Sequence, residues 1–507
     1  MVGEQQEPLL AIDQIQGNVL PGFNKHFQAF LFLKIDDVQY FRRWLGTLHI
    51  TTMEEVLAFV CLRKEEERYK KPFTKATWIN IAFSHSALMQ LGVLNEGDFT
   101  DQAFREGLWQ RSESLGDPIG GREGGPRTWV VGGPKNEADV VLIIASDCLT
   151  DLYDEVTRIE DTIYAYVPPK MSEEMSAQSG VRIIFKQHGA NLPKPFAGHE
   201  HFGFRDGISQ PGVRGRIPKN LHPARDAYLT PREDPPVEGE GKSGQKLVWP
   251  GEFVFGYPKQ DPKNSLEAVA GTDQEFTRNG SFLVFRRLRQ DVGAFHRFLH
   301  DKAEQYEFTA EHFGAMCVGR RVSGASIFSN PGKAGEKSVQ DDRTNNAFEF
   351  QKGESADPNG KVCPFAAHIR RTNPRDDLDK NEAQTHRLLR RGIPYGEPST
   401  STFAEPSDDT VDRGLLFIAY QTSIENQFEH MQKVANNPWF REGEPGYDPI
   451  IGQNNRDLPR TFRITSKDGR SELEVALPTP GWVIPTGGGY FFAPSIKVMK
   501  DMLAHTR

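Results

Sequence analysis

The sequence predicts an α+β fold, on three observations. Strand-like and helix-like segments alternate along the whole chain, the rhythm of the first half returns in the second, and two long polar stretches interrupt that second half. The segment 28–35 (QAFLFLKI) has the unbroken apolar run of a buried strand, and 38–48 behind it carries Phe41, Trp44, Leu45 and Leu48 at helical spacing. A second strand, 77–83 (TWINIAF), leads into a helix over 86–92 that Gly92 ends. A third, 140–146 (VVLIIAS), leads into a helix over 151–159. Past the midpoint, 281–287 (SFLVFRR) precedes a helix over 292–303 bearing Phe295, Phe298 and Leu299, and 414–420 (GLLFIAY) precedes one over 424–434 bearing Phe428 and Met431. Pairing QAFLFLKI with SFLVFRR, and TWINIAF with GLLFIAY, points to duplication of one α+β unit, although any α+β chain offers such pairs. The stretch 222–280, with its PREDPPVEGEGKSG, and the polar stretch 329–360 read as insertions or long loops.

Composition narrows the function. At 507 residues the chain is long enough for two or three domains of roughly 100–200 residues each, and for a core that buries a large cofactor. A net charge of −8 argues against nucleic acid, whose binders are basic. No run approaches the ~20 apolar residues of a membrane span. The four cysteines, Cys61, Cys148, Cys317 and Cys363, form no CxxC, which argues against zinc ribbons, iron–sulfur clusters and covalent c-type haem. No secretory signal is visible, so the expected location is cytoplasmic, and a secreted mature form would read the same.

Four segments can carry chemistry. In 203–212 (GFRDGISQPG) two glycines bracket Asp206, a candidate general acid or base, and a plain Asp-Gly turn explains the same letters. In 363–375 (CPFAAHIRRTNPR), His368 follows small apolar residues and is a candidate axial ligand for a non-covalent haem. Arg370, Arg371 and Arg375 beside it match carboxylates such as haem propionates; a structural histidine and a solvated basic face are the bland readings. In 388–396 (LLRRGIPYG), Arg390 lies between an apolar pair and a turn, and if buried it needs an anion. In 413–420 (RGLLFIAY), Leu415 and Phe417 share one strand face and suit either a flat apolar ligand or the core. His199 and His201, with His188 upstream, form a competing metal candidate, and His386 is a rival axial ligand.

Taken together and in this order, these segments resemble the dye-decolorising peroxidases. The family's GxxDG motif matches Gly203 to Gly207, its proximal histidine segment matches Cys363 to Arg375, its distal arginine matches Arg390, and its apolar cover matches Leu415 and Phe417. The opening Ile15-Gln-Gly-Asn-Val-Leu is also like the family's, and the chain is similar to its larger members. The resemblance implies two ferredoxin-like α+β domains with antiparallel sheets, 1–215 and 216–507, with haem b held in the second near the crevice between them. It implies His368 on the iron, Asp206 and Arg390 as catalytic residues, and Gly207, Ile208, Ser209, Asn373, Arg375, Arg390, Leu415 and Phe417 around the haem. The implied reaction consumes hydrogen peroxide and oxidises dyes, phenols and other aromatic donors, or Mn2+, by single electrons. An Asp as base, with an ordinary pKa of about 3.9, predicts an acidic optimum. The second imidazole N–H of His368 should meet a carboxylate; Glu429 is the expected acceptor and Glu425 its rival. Trp439, Tyr395 and Tyr420 are candidates for electron transfer. One departure is Gly392, where some members carry Asn two residues after the distal arginine. A haem carrier, sensor or iron-releasing protein, a non-haem metalloenzyme at His199 and His201, and a non-catalytic interaction protein stay open. The oligomeric state does not follow from the sequence.

Overall fold

The computed structural model describes residues 6–504 apart from 96, 166–179, 219–227, 234–235, 243, 329–344, 347, 354–355, 440–445 and 456–457. The first half supplies β1 (Phe27–Ile35), β2 (Thr77–Phe83), β3 (Val140–Ser146) and β4 (Val181–Ala190). Two short pairs follow, β5 (Gly212–Val213) with β6 (Leu247–Val248) and β7 (Lys259–Gln260) with β8 (Ala268–Val269). The second half supplies β9 (Ser281–Gln290), β10 (Leu389–Arg390), β11 (Ile393–Tyr395), β12 (Gly414–Gln421) and β15 (Val483–Ala493), with a separate hairpin of β13 (Arg460–Thr465) and β14 (Glu472–Leu477).

One nine-stranded sheet joins the halves in the order β10-β12-β9-β15-β2-β3-β1-β4, with β11 also on β12 and every pairing antiparallel. Numbered within its own half, each set runs 2-3-1-4, so the expected duplication is present as topology. One pairing of segments is corrected. GLLFIAY is the third strand of its half, so its counterpart is VVLIIAS rather than TWINIAF. The sheet runs unbroken across the expected boundary at 215/216.

The sheet curls shut. Phe492 of β15 pairs with Phe83 of β2 on one side. On the other, β4 lies so close to β11 that a Cβ added at Gly189 would stand 2.6 Å from Ile393 Cγ2. Alternation then sends Phe30, Phe32, Val141, Ile143, Phe285, Ile418 and Phe491 inward into one apolar cluster, and Leu31, Leu142 and Ile81 outward beneath helices. Each half's first strand leads into a helix capped by an Asp side chain: Asp37 accepts from Tyr40 N before Val38–Leu45, and Asp291 from Ala294 N before Val292–Gln305. The segment expected to be helical over 424–434 opens instead as a π turn, Ile424–Glu429, before the helix His430–Asn436.

The described part of 222–280 is not a plain loop. Trp249, Phe253, Val254, Phe255 and Tyr257 are buried and anchor it to the barrel, an apolar patch hidden inside a polar stretch. Much of 329–360 lies outside the described residues. No helix among the described residues is long and apolar enough to cross a membrane.

Candidate active site

The site lies on the outer face of the second half's sheet. Arg390 of β10 sits opposite Ala419 of β12, and a period of two puts Ala419, Phe417 and Leu415 on that same face. Phe417 and Leu415 are only half-buried although they belong to a central strand. Gly203 and Gly207 have φ of +94° and +79°, a region that costs other residues energy, and they bend the 203–212 loop so that Asp206 meets Arg390. Arg390 Nη1 donates to Asp206 Oδ1 at 2.9 Å, and the Gly207 amide donates to the same oxygen at 2.6 Å. The loop also fixes the arginine's backbone. Gln210 Nε2 donates to the Arg390 carbonyl at 2.9 Å, and its Oε1 accepts from the Arg390 amide at 3.3 Å.

Burial opposes the charge on Asp206, but Arg390, the Gly207 amide and the nearby His368 outweigh it, so its pKa falls below the usual Asp value. The carboxylate is ionised yet still 40% exposed to the cavity, with Arg390 at 29%. Behind it, Glu200 accepts from the amides of Phe202 and Phe204 and from Gln290 Nε2. Burial, with Asp206 adding to it, pushes Glu200 up to about 7 against those bonds.

His368 opens the short helix His368–Thr372, and its imidazole is 31% exposed. Nδ1 donates to Asp448 Oδ2 at 2.8 Å, while Asp448 Oδ1 accepts from the amides of Ile450 and Ile451 at 2.8 and 3.0 Å. Asp448 is fully buried, so the pair is rigid, and Nε2 is the nitrogen left for the cavity. Burial disfavours the imidazolium, but Asp448 more than compensates and raises the His368 pKa. His368 and Asp206 each feel the other's charge, which places both around one space.

That space is short of negative charge. Among the described residues Arg320, Arg375 and Arg387 make no ion pair with a carboxylate. Arg320 bonds Gly324 O, Asn345 O, Ser209 Oγ and Asn346 Oδ1, Arg375 bonds only Asn373 O, and Arg387 bonds Gln384 Oε1. Burial lowers all three, with repulsion from Arg390 added at Arg320 and Arg387, which fall to about 10, and repulsion from those two added at Arg375. Asn373 Oδ1 is buried without a donor, and Arg375 holds φ +54°, an uncommon region for a side chain of its size. An apolar strand face, a free imidazole nitrogen and three arginines without counter-ions suit a flat apolar ring system carrying two carboxylates, which is haem.

Several expectations are corrected. The carboxylate on His368 is Asp448. Glu429 is bound instead by Arg111 Nε and Nη2 at 2.6 Å each, by Tyr490 and by Lys433, and Glu425 pairs with Arg111 at 3.4 Å. Arg370 is spent on Asp377 and Asp357 between the rings of Phe350 and Phe365, and Arg371 on the carbonyls of Asn437 and Gly446, so only Arg375 of the three faces the cavity. His201 bonds the Tyr395 carbonyl, His199 the Ala197 carbonyl, and the described residues contain no metal-binding group of three. His386 stacks on His430 at 3.7 Å, and its Nδ1 is held by Asn426 O. A Cβ at Gly392 would sit 2.9 Å from Leu416 O, so the strand packing leaves an amide side chain little room there. Sequence reasoning missed Gln210, Arg320, Arg387 and Asp448. Gln210 lay unremarked inside the 203–212 segment, and Arg387 left a trace three residues before Arg390 in the same basic run.

The family models decide the family. Residues 14–182 match the DyP dimeric alpha+beta barrel domain and residues 253–439 match the Dyp-type peroxidase C-terminal domain. The chain belongs to the dye-decolorising peroxidase family. It is 32% identical to dye-decolorizing peroxidase msp1 of Mycetinis scorodonius, over 98% of this chain and 88% of that protein. The structure of an ancestral D-type dye decolorizing peroxidase superposes with a TM-score of 0.79 at 33% identity, over 98% of this chain and all of that one. A dye-decolorizing peroxidase in complex with 2,6-dimethoxyphenol superposes at 0.74 with 29% identity, again over 98% and 100%. This dye-decolorising peroxidase is therefore an enzyme, and its family is haem-dependent.

Proposed function

We propose that this dye-decolorising peroxidase holds haem b non-covalently and uses hydrogen peroxide to oxidise phenols, dyes and other aromatic donors in one-electron steps. The observation that carries the reading is that the Asp448-backed imidazole of His368 and the Asp206–Arg390 pair share one cavity. Haem, when bound, supplies the iron at which peroxide is reduced and stores the oxidising equivalents. His368 Nε2 would be the ligand, with Asp448 fixing its tautomer and making it more basic. Arg320, Arg375, Arg387 and Asn373 would hold the propionates, and Leu415, Phe417, Gly207, Ile208 and Ser209 would line the ring.

Asp206 takes a proton from hydrogen peroxide and returns it to the departing oxygen, which leaves as water. Arg390 keeps Asp206 ionised and presents a fixed positive charge where negative charge develops, with no reorganisation needed at that moment. A haem carrier would need His368 but has no use for Asp206 locked to Arg390. The phenol bound by the structural relative supports phenols as donors. Bulky dyes call for a surface relay. Trp439 is 74% exposed, and its amide bonds the Asn437 side chain, whose backbone carbonyl accepts from Arg371 of the His368 helix. Among the described residues no carboxylate cluster favours Mn2+.

The test is the absorption spectrum of haem-reconstituted protein before and after one equivalent of peroxide. The expected result is a Soret band that shifts rapidly, and about 10²–10⁴-fold more slowly in Asp206→Ala. A Soret band that ignores peroxide would leave a haem carrier, and no Soret band would remove His368 as ligand.

A further inference from the structure

Glu429, first expected beside His368, stands instead against a buried phenol. Tyr490 of β15 is almost fully buried, and its hydroxyl donates to Glu429 Oε1 at 3.1 Å. Glu429 has no exposed side-chain surface, but Arg111 grips it bidentately and Lys433 reaches it at 3.2 Å. Burial opposes its charge, and those cations prevail, holding its pKa below the usual Glu value. A carboxylate favoured in its ionised form at rest is thus bonded to a phenolic O–H that burial and Glu429 together keep protonated.

Aromatic rings connect this pair to the active site. Tyr490 packs edge-on against Phe428 with centroids 6.1 Å apart, and Phe428 lies 5.8 Å from Phe417. Phe417 shares its sheet face with Arg390. Tyr395 and Tyr420 are placed differently: the Tyr395 hydroxyl also donates to a carboxylate, Asp412 Oδ1 at 3.3 Å, but that carboxylate is largely exposed. The Arg287 guanidinium lies 4.2 Å over the ring of Tyr395, and a cation there opposes loss of an electron. The Tyr420 hydroxyl is bonded by the amide of Asn18, a donor, and among the described residues no carboxylate bonds it.

We propose that Tyr490 is a redox-active tyrosine, oxidised by one electron through Phe428 and Phe417 while Glu429 takes its phenolic proton. The inference rests on the peroxidase reading, because hydrogen peroxide acting at the haem supplies the oxidant. The balance is one electron from Tyr490 to the oxidised haem and one proton from the Tyr490 oxygen to Glu429, leaving a neutral phenoxyl radical beside a neutral carboxylic acid. An aromatic donor then returns an electron, and Glu429 returns the proton. An oxidised phenol is a far stronger acid than the phenol itself, so a carboxylate suffices as acceptor. Arg111 and Lys433 remain to balance the charge of the resting state.

The experiment is rapid-freeze electron paramagnetic resonance of the haem-reconstituted full chain after one equivalent of peroxide, with the haem spectrum recorded in parallel. Unsubstituted protein, Tyr490→Phe and Glu429→Gln are compared, and protein carrying ring-deuterated tyrosine identifies the radical without any substitution. The expected result is a tyrosyl signal that narrows on deuteration, is lost in Tyr490→Phe and forms more slowly in Glu429→Gln, while the haem spectrum still responds to peroxide in all. An undiminished tyrosyl signal in Tyr490→Phe overturns the assignment, as does a haem that is oxidised with no tyrosyl signal in the unsubstituted protein. A haem that ignores peroxide would instead bring down the peroxidase reading, and this inference with it.

Discussion

The two halves of the barrel share one strand order and differ in what they leave open. In the first half the third strand, β3, is buried along its whole length. Its outward residues Val140, Leu142 and Ile144 join Leu152, Val156 and Ile159 of the helix Leu149–Ala165 in one cluster. In the second half the third strand, β12, alternates buried with half-buried through Leu415 and Phe417, and the short β10 beside it carries Arg390. The same scaffold position is thus closed by an apolar helix in one copy and opened to a cavity in the other. Duplication supplied a stable frame, and function came from not covering the second copy.

That contrast can be broken first at the strands themselves. Leu142→Ala should cost about 2–5 kcal/mol of stability, because it empties a fully buried site under a helix. Phe417→Ala should cost less, since its ring is already half-exposed, but should move the Soret band of the reconstituted protein while Leu142→Ala leaves it in place. Chemical denaturation and absorption spectra check both. Equal losses of stability with no spectral change at Phe417 would mean that the outer face of β12 is ordinary core.

A smaller effect is expected one residue back from the cavity. Asp448→Asn keeps the shape of the acceptor on His368 Nδ1 but removes its charge, and such changes typically cost about 10–100-fold in affinity or activity. Glu425→Gln, on the partly exposed carboxylate that pairs with Arg111 and the Gln102 amide, should change neither haem retention nor the peroxide reaction. Haem transfer to an acceptor globin and stopped-flow mixing with peroxide separate the two variants; the reverse outcome would return the expected role to the glutamates.

The fold was legible where a strand is an unbroken apolar run, not where it is long: β4 and β15, of 10 and 11 residues, went unread. β1, β2, β3, β9 and β12 each read as an apolar run, and the repeat showed through them. The second strand of the second half was not legible, since it is split into Leu389–Arg390 and Ile393–Tyr395 by Arg391 and Gly392, too short for any periodicity. With that slot unseen, GLLFIAY was matched to the wrong partner. In the site, Asp206, His368 and Arg390 stood out because each sits in a dense motif. Asp448 lies 80 residues from His368 in a bare Gly-Tyr-Asp-Pro turn, and only the folded chain brings it there. Arg370 and Arg375 look alike in sequence, and only the positions of Asp357 and Asp377 decide which one is spent.

The subtlest expectation contrasts two carboxylates of one loop that titrate in opposite directions. Asp206 is held below its usual value, so its ionised form is favoured by folding. Its contribution to stability is present above the ordinary Asp range and lost as pH falls through its lowered pKa, and the peroxide reaction should keep its base to unusually low pH. Glu200 is raised from 4.5 to about 7, so folding favours its neutral form, and stability should drift downward as pH rises through that window. Tm measured from pH 4.5 to 7.5 should therefore fall more in the unsubstituted protein than in Glu200→Gln, which cannot ionise. The rate of reaction with peroxide should decline on the acid side at higher pH in Arg390→Leu than in the unsubstituted protein, because the guanidinium that holds Asp206 down is gone. If the acid limb stays in place in Arg390→Leu, some group other than Asp206 carries the proton, and the equivalence between loop geometry and base strength fails at its central residue.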